Sequence, residues 1–215
     1  MIYNTYEPPI TIQHYVKSIW HIDSEGEKSV TRQKIIPDGY LEIILHYGDP
    51  YRINIDGCWR TQSKYLLAGQ LTHHFYLENT GHSGMIGIKF MPTALHDLFG
   101  IEMYTLVNKV VEMSGAIELK AQPFIDFLLY GSFQELDIQV ESLLKPLLKT
   151  PNRSHQAVDL IIRKKGLLSV SQVAKEISIS ERQLERLFKR SVGLTPKRFC
   201  RIIRFAHIFK LVESG

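Results

Sequence analysis

Cysteine is scarce: Cys58 and Cys200, far apart and in no metal-binding spacing, are the only two in 215 residues. That excludes a disulfide scaffold and points to reduced thiols in a cytoplasmic setting. No apolar run approaches the roughly 18–20 residues that span a bilayer, so no membrane partner is expected. The first nine residues, Met1 to Pro9, lack the basic-then-apolar pattern of a signal peptide. A Gly-rich phosphate loop and a nucleophile elbow are missing, and Cys200 has no obvious base beside it. Catalytic residues and an enzymatic step are therefore not expected. Seven of the nine histidines precede residue 100, but no H-x-H or H-E-x-x-H spacing gathers them. No metal and no cofactor is expected. What remains, 44% hydrophobic and 22% charged, is an ordinary globular composition in 24.8 kDa, long enough for two domains.

The net charge of +4 hides a division. Residues 1–150 hold 12 Lys and Arg against 17 Asp and Glu, a net of −5, whereas residues 151–215 hold 14 against 5, a net of +9. A short basic segment behind a longer acidic one suits a polyanion, nucleic acid or a membrane surface, or else a solvated helix face with no partner.

The first hundred residues read as β structure. After a turn signal at Pro37-Asp38-Gly39, residues 41–47 alternate: Leu41, Ile43, Leu45 and Tyr47 share one face, Glu42, Ile44 and His46 the other. Short runs at 51–55, 65–67, 74–77 and 85–90 follow, separated by turn residues, as in a small barrel or sandwich. The period then changes. Residues 92–100 form a short helix ended by Gly100, and 116–129 and 133–148 read as a helical pair. Residues 150–154 make a linker where the charge changes sign. Trp20, Glu42 and His46 are the candidate ligand-binding residues, because polar groups within an apolar barrel need a partner.

Beyond the linker the helix signals are dense. Residues 155–165 are helical, with Val158, Ile161 and Ile162 as the apolar stripe and Gly166 closing. Ser169-Val170-Ser171-Gln172 has the form of a capping box and opens a helix that buries Val173, Ala174 and Ile177. Ser180-Glu181-Arg182-Gln183 is a second such box, so a third helix starts at once and runs to Ser191. Two capped helices across so short a turn are a helix-turn-helix signature. Projected at about 100° per residue, Leu184, Leu187 and Phe188 face inward. Arg182, Arg186 and Lys189 face outward, flanked by Glu185 and Arg190. Arginine suits guanine O6 and N7; Glu185 suits either cytosine N4 or Lys189 four residues on. Thr195-Pro196 starts a fourth helix with Lys197, Arg198, Arg201 and Arg204 exposed, and Lys197 is placed to meet the DNA backbone.

Three stretches, 168–174, 180–189 and 193–199 with Arg204, resemble the first helix-turn-helix and linker helix of AraC-type transcription regulators. The resemblance covers about the last fifty residues and implies that Arg182, Glu185 and Arg186 read bases. Shorter stretches, Tyr15 to Trp20, Ile36-Pro37-Asp38-Gly39, Leu67-Ala68-Gly69 and Gly87 to Pro92, are similar to the sensor domain of one branch of that family. They imply a β-rich regulatory domain with a small-molecule pocket and a dimerising helix. Two departures stand out. Ser178 occupies a turn position where the family usually has glycine, and Gly215 falls before a second helix-turn-helix. The chain is thus either a fragment of a longer regulator or a natural shorter form.

The expected architecture is α+β: a β-rich, barrel-like sensor domain with a helical pair over 1–150, then an all-α helix-turn-helix domain over 151–215. The expected function is sequence-specific binding of double-stranded DNA by a cytoplasmic homodimer, paired through 116–148 and modulated by a small-molecule effector. The alternative is a small-molecule- or metal-binding cupin-like barrel whose helical tail mediates protein contacts.

Overall fold

Strand parity sets the first half of the molecule, in a computed structural model that describes residues 2–27, 29–113 and 135–214. In β4 (Leu41–His46), Leu41, Ile43 and Leu45 are at most 3% exposed on one face, while Glu42, Ile44 and His46 take the other. Nine further strands surround it: β1 (Ile2–Tyr6), β2 (Val16–Asp23), β3 (Arg32–Ile35), β5 (Arg52–Asn54), β6 (Trp59–Thr61), β7 (Tyr65–Ala68), β8 (Phe75–Glu78), β9 (Gly84–Phe90) and β10 (Val110–Glu112).

They form two antiparallel sheets, ordered β1-β2-β9-β4-β7-β10 and β3-β8-β5-β6. The expected barrel is corrected here: among the described residues the sheets face one another and do not close. The chain turns corners between the sheets instead of extending one ladder. One corner is pinned by Asn79, whose side chain accepts from the Thr31 amide at 2.6 Å and donates to the Ser29 carbonyl at 2.7 Å. Beside it the Ser24 amide donates to the Ser83 carbonyl at 2.8 Å.

The outer face of the large sheet is covered by α1 (Ala94–Phe99), a 3₁₀ turn (Met103–Leu106) and α2 (Leu136–Leu144). Ile43, Ile88 and Phe90 pack there with Leu95, Met103, Leu136 and Val140. The result is three layers, with the six-stranded sheet in the middle. The helix expected over 116–129 lies outside the described residues. That expected over 133–148 is described from residue 135 and is shorter, because α2 gives way to a 3₁₀ turn (Lys145–Leu147) at Pro146.

The remaining helices are α3 (Arg153–Arg163), α4 (Val170–Glu176), α5 (Glu181–Ser191) and α6 (Pro196–Ser214). Asn152, Ser169 and Ser180 each cap a helix reciprocally with the residue three positions on. Between α4 and α5 the chain turns through Ser178, which holds the left-handed conformation at φ 56° that glycine would favour. Ala157, Val158, Ile161, Ala174, Leu184, Phe188 and Phe199 form a second hydrophobic core. Each Leu or Phe buried there contributes roughly 1.5–3 kcal/mol.

The two cores meet at defined contacts. Gly39, at φ +85°, lies against α6, where a Cβ would fall 2.9 Å from Ile203 Cδ1, so both backbone and space require glycine. Asn152 Nδ2 donates to Asp97 Oδ1 at 3.0 Å, and Arg190 grips Glu102 through Nε and Nη2 at 3.1 and 2.8 Å. Among the described residues no helix is long and apolar enough to cross a membrane.

Candidate functional site

Helix α5 divides its residues sharply. Leu184 and Phe188 are fully buried, and the opposite side leaves Arg182, Glu185, Arg186 and Lys189 exposed. Arg182 and Arg186 make no ion pair among the described residues, so two guanidinium groups one turn apart stand free in solvent. Lys189 differs: its Nζ lies 5.5 Å from the centre of the Tyr104 ring. Glu185 makes no ion pair with it among the described residues, which removes the pairing expected from their spacing. The aromatic face of Tyr104 attracts the ammonium group in its place. Lys197 is exposed on the first turn of α6 and lines an open groove of about 930 Å³ with Lys34, Arg198 and Arg201. Arg204, expected as one more surface cation, is exposed and also donates to the Gly166 carbonyl from Nη2 at 2.6 Å.

The second site is a cavity of about 290 Å³ between the two sheets. Trp20, Glu42 and His46 all line it. Parity explains their meeting, since β2, β9 and β4 are neighbours and Glu42, Ile44 and His46 share one face. Trp20 crosses β9 at Gly87, where any Cβ would sit 2.0 Å from the indole ring. Most of the remaining lining is apolar, with Ile22, Ile44 and Leu66 from one sheet and Ile53, Phe75 and Leu77 from the other.

Two residues that sequence reasoning did not single out complete the polar end. Lys89 Nζ stands 2.8 Å from Asp38 Oδ2 and 3.3 Å from Glu42 Oε1. The signals were present: Lys89 lies in the 85–90 run and Asp38 in the Pro-Asp-Gly turn. What joins them is the pairing of Lys89 with Glu42 across β9 and β4. Burial raises the pKa of Glu42, with Lys89 pulling it back. For Lys89, burial works to lower the pKa, but Glu42 and Asp38 outweigh it and hold the ammonium above its ordinary range. Both side chains are about one quarter exposed, onto the cavity that they line.

At the other end His46 is 1% exposed, and among the described residues neither ring nitrogen has a partner within full hydrogen-bonding distance, the Gln62 side chain being the polar group that acts on it. Burial pushes its pKa down to about 4, against a weaker opposing pull from Gln62, so the ring is neutral at pH 7. Tyr51 lies beside it with ring centres 5.8 Å apart and planes tilted by 37°, and its hydroxyl meets Ser83 Oγ at 2.8 Å. Among the described residues no group of three or more His, Cys, Asp or Glu side chains is arranged to hold a metal ion.

A family model described as "Domain of unknown function (DUF6597)" matches residues 4–112, just over half of the chain. The chain belongs to the DUF6597 family. The match ends at the last residue of β10, so it covers both sheets and the cavity and stops short of the basic helices. No curated protein matches the chain. Among solved structures, the AraC-like transcriptional activator CuxR aligns at 14% identity over 99% of this chain and 86% of its own, with a TM-score of 0.33. ToxT from Vibrio cholerae O395 aligns at 10% identity over 99% and 83%, with a TM-score of 0.43. The same protein bound to (E)-4-(8-methylnaphthalen-1-yl)but-3-enoic acid aligns at 7% over 100% and 85%, with a TM-score of 0.44. Likenesses this shallow decide nothing about fold or function.

Proposed function

We propose that this member of the DUF6597 family is a sequence-specific DNA-binding transcription regulator of the AraC type, modulated by a small molecule held between its two sheets. The observation that carries the reading is α5: a helix buried on one side, entered by a tight turn, with Arg182 and Arg186 unpaired on the other. Two uncompensated cations one turn apart repel each other in a bare helix, and a phosphate-lined major groove removes that cost. In this reading Arg182, Glu185 and Arg186 reach base edges, while Lys189 and Lys197 contact phosphates.

The cavity supports the sensing half of the proposal, with Trp20, Glu42 and His46 as ligand-contacting residues. Residues 1–150 act as the sensor and 151–215 as the DNA-binding part, in a cytoplasmic homodimer paired through 116–148. That segment includes α2, which leaves Ile138 53% exposed. Selection of duplexes from a random-sequence pool by the full chain tests the central step. A single enriched motif is expected, and Arg186→Ala should relax one or two of its positions. A pool that emerges without a motif contradicts the proposal.

A further inference from the structure

The cavity has two polar poles and an apolar middle. At one pole two carboxylates, Asp38 and Glu42, share a single ammonium group, Lys89. With every group ionised, that cluster carries one negative charge beyond what Lys89 balances, in surroundings that are otherwise apolar or neutral, and burial already disfavours that charge on Glu42. At the other pole stands His46, a buried neutral ring with one nitrogen to donate and one to accept, neither within full hydrogen-bonding distance of a partner among the described residues and with Gln62 as its polar neighbour. Glu42 and His46 lie four residues apart on one strand, about 13 Å along it. Between them come Ile44, Leu66, Phe75 and the indole of Trp20. The volume of about 290 Å³ holds roughly ten water-sized groups.

Resting on the reading of this cavity as the effector site, we infer that it takes a small amphiphilic cation. The ligand has a protonated amine at the Asp38–Glu42 pole, a flat or aliphatic body of about ten non-hydrogen atoms, and a hydroxyl-like group at His46. The sign of the charge follows from the count of groups. An added ammonium group neutralises the second carboxylate. An added carboxylate makes three anions around one lysine in a site that solvates none of them well. Length and the imidazole then favour a polar group at the far end, since with an apolar tip the ring would have only the Gln62 side chain as a polar neighbour.

Calorimetric titration of the full 215-residue chain, without DNA, compares three probes that share a phenol ring and differ at the other end. They are tyramine, the neutral alcohol 4-(2-hydroxyethyl)phenol and the anion 3-(4-hydroxyphenyl)propionate. Tyramine should bind about tenfold or more tighter than the alcohol, and the anion should bind least. Glu42→Gln and, independently, Asp38→Asn should bring tyramine down to the alcohol's affinity, each checked for an unchanged near-ultraviolet dichroism spectrum. His46→Leu should weaken tyramine and leave phenethylamine, which lacks the hydroxyl, unaffected. The inference is overturned if the anion binds as tightly as tyramine, if the three bind alike, or if none binds. Because no DNA is present, these outcomes are independent of the DNA-binding proposal, whose own failure would appear in duplex selection.

Discussion

The two halves of the molecule treat charge in opposite ways. The sandwich turns Asp38, Glu42, Lys89 and His46 inward, onto a cavity, where two carboxylates share one ammonium group and the histidine ring is neutral. The helical half turns Arg182, Arg186 and Lys197 outward and compensates almost none. Removing the one shared cation from the first region therefore disturbs the fold, while removing a cation from the second disturbs only what the surface can bind. A buried ion cluster is a structural commitment; an exposed basic face is available for a partner.

The contrast can be broken most easily at Lys89. Lys89→Met leaves two carboxylates without their cation, and because the side chain still sees the cavity, the loss should fall at the low end for buried pairs, about 3 kcal/mol. Urea unfolding measures it. An unchanged midpoint would mean that cavity water compensates the carboxylates as bulk water does.

Next comes acid. His46 is held down to about 4 in the folded protein against 6.5 in the unfolded chain, so between those values only the unfolded chain takes up the proton. Stability is full above about pH 6.5 and falls as pH drops toward 4, by at most about 3 kcal/mol. Glu42, whose pKa burial raises, works in the opposite direction. Comparison with His46→Leu isolates the histidine: the variant should have a flatter acid slope in unfolding experiments at pH 4 to 7. Parallel slopes would place the ring in contact with solvent.

Smaller again is the turn between α4 and α5. Ser178 sits at φ 56°, where a side chain is strained, so Ser178→Gly should stabilise the protein by roughly 0.5–1 kcal/mol despite the added freedom of the unfolded chain. Thermal denaturation with a lowered midpoint would show that the serine compensates its own strain. Last is Arg186→Ala, which should change stability by less than about 0.5 kcal/mol, since the side chain packs on nothing that the fold needs.

The helical half was largely legible in the residues because its signals are local. The boxes at Ser169 and Ser180 mark the first residues of α4 and α5, and Ser191 is where α5 ends. Asn152 went unread as a cap, so α3 begins two residues earlier than its apolar stripe suggests. The sandwich was legible only where alternation was clean, as in β4. Strand β2 hides its period: a bulge between Val16 and Ser18 shifts the register, and both Ile19 and Trp20 are buried, on opposite faces. Strand β3, with Arg32, Gln33 and Lys34 exposed, looks like a loop until its pairing with β8 is known.

The sites divide the same way. Glu42 and His46 followed from parity on a single strand, and the exposed face of α5 from helical period. Lys89 and Asp38 depend on which strands pair, and Lys189 meets Tyr104 only because α5 docks on the 3₁₀ turn. Contacts between distant segments leave little trace in the chain itself.

DNA binding through the outward charge of α5 is the proposal on which the rest depends. Its most direct test is the salt dependence of binding to a selected duplex, measured by fluorescence anisotropy. If Lys189 and Lys197 each neutralise a phosphate while Arg182 and Arg186 reach bases, log K should fall against log salt with a slope of about −2, and Lys189→Ala should reduce that slope by about 1. Weak binding with a flat salt response, or a slope untouched by Lys189→Ala, would contradict it.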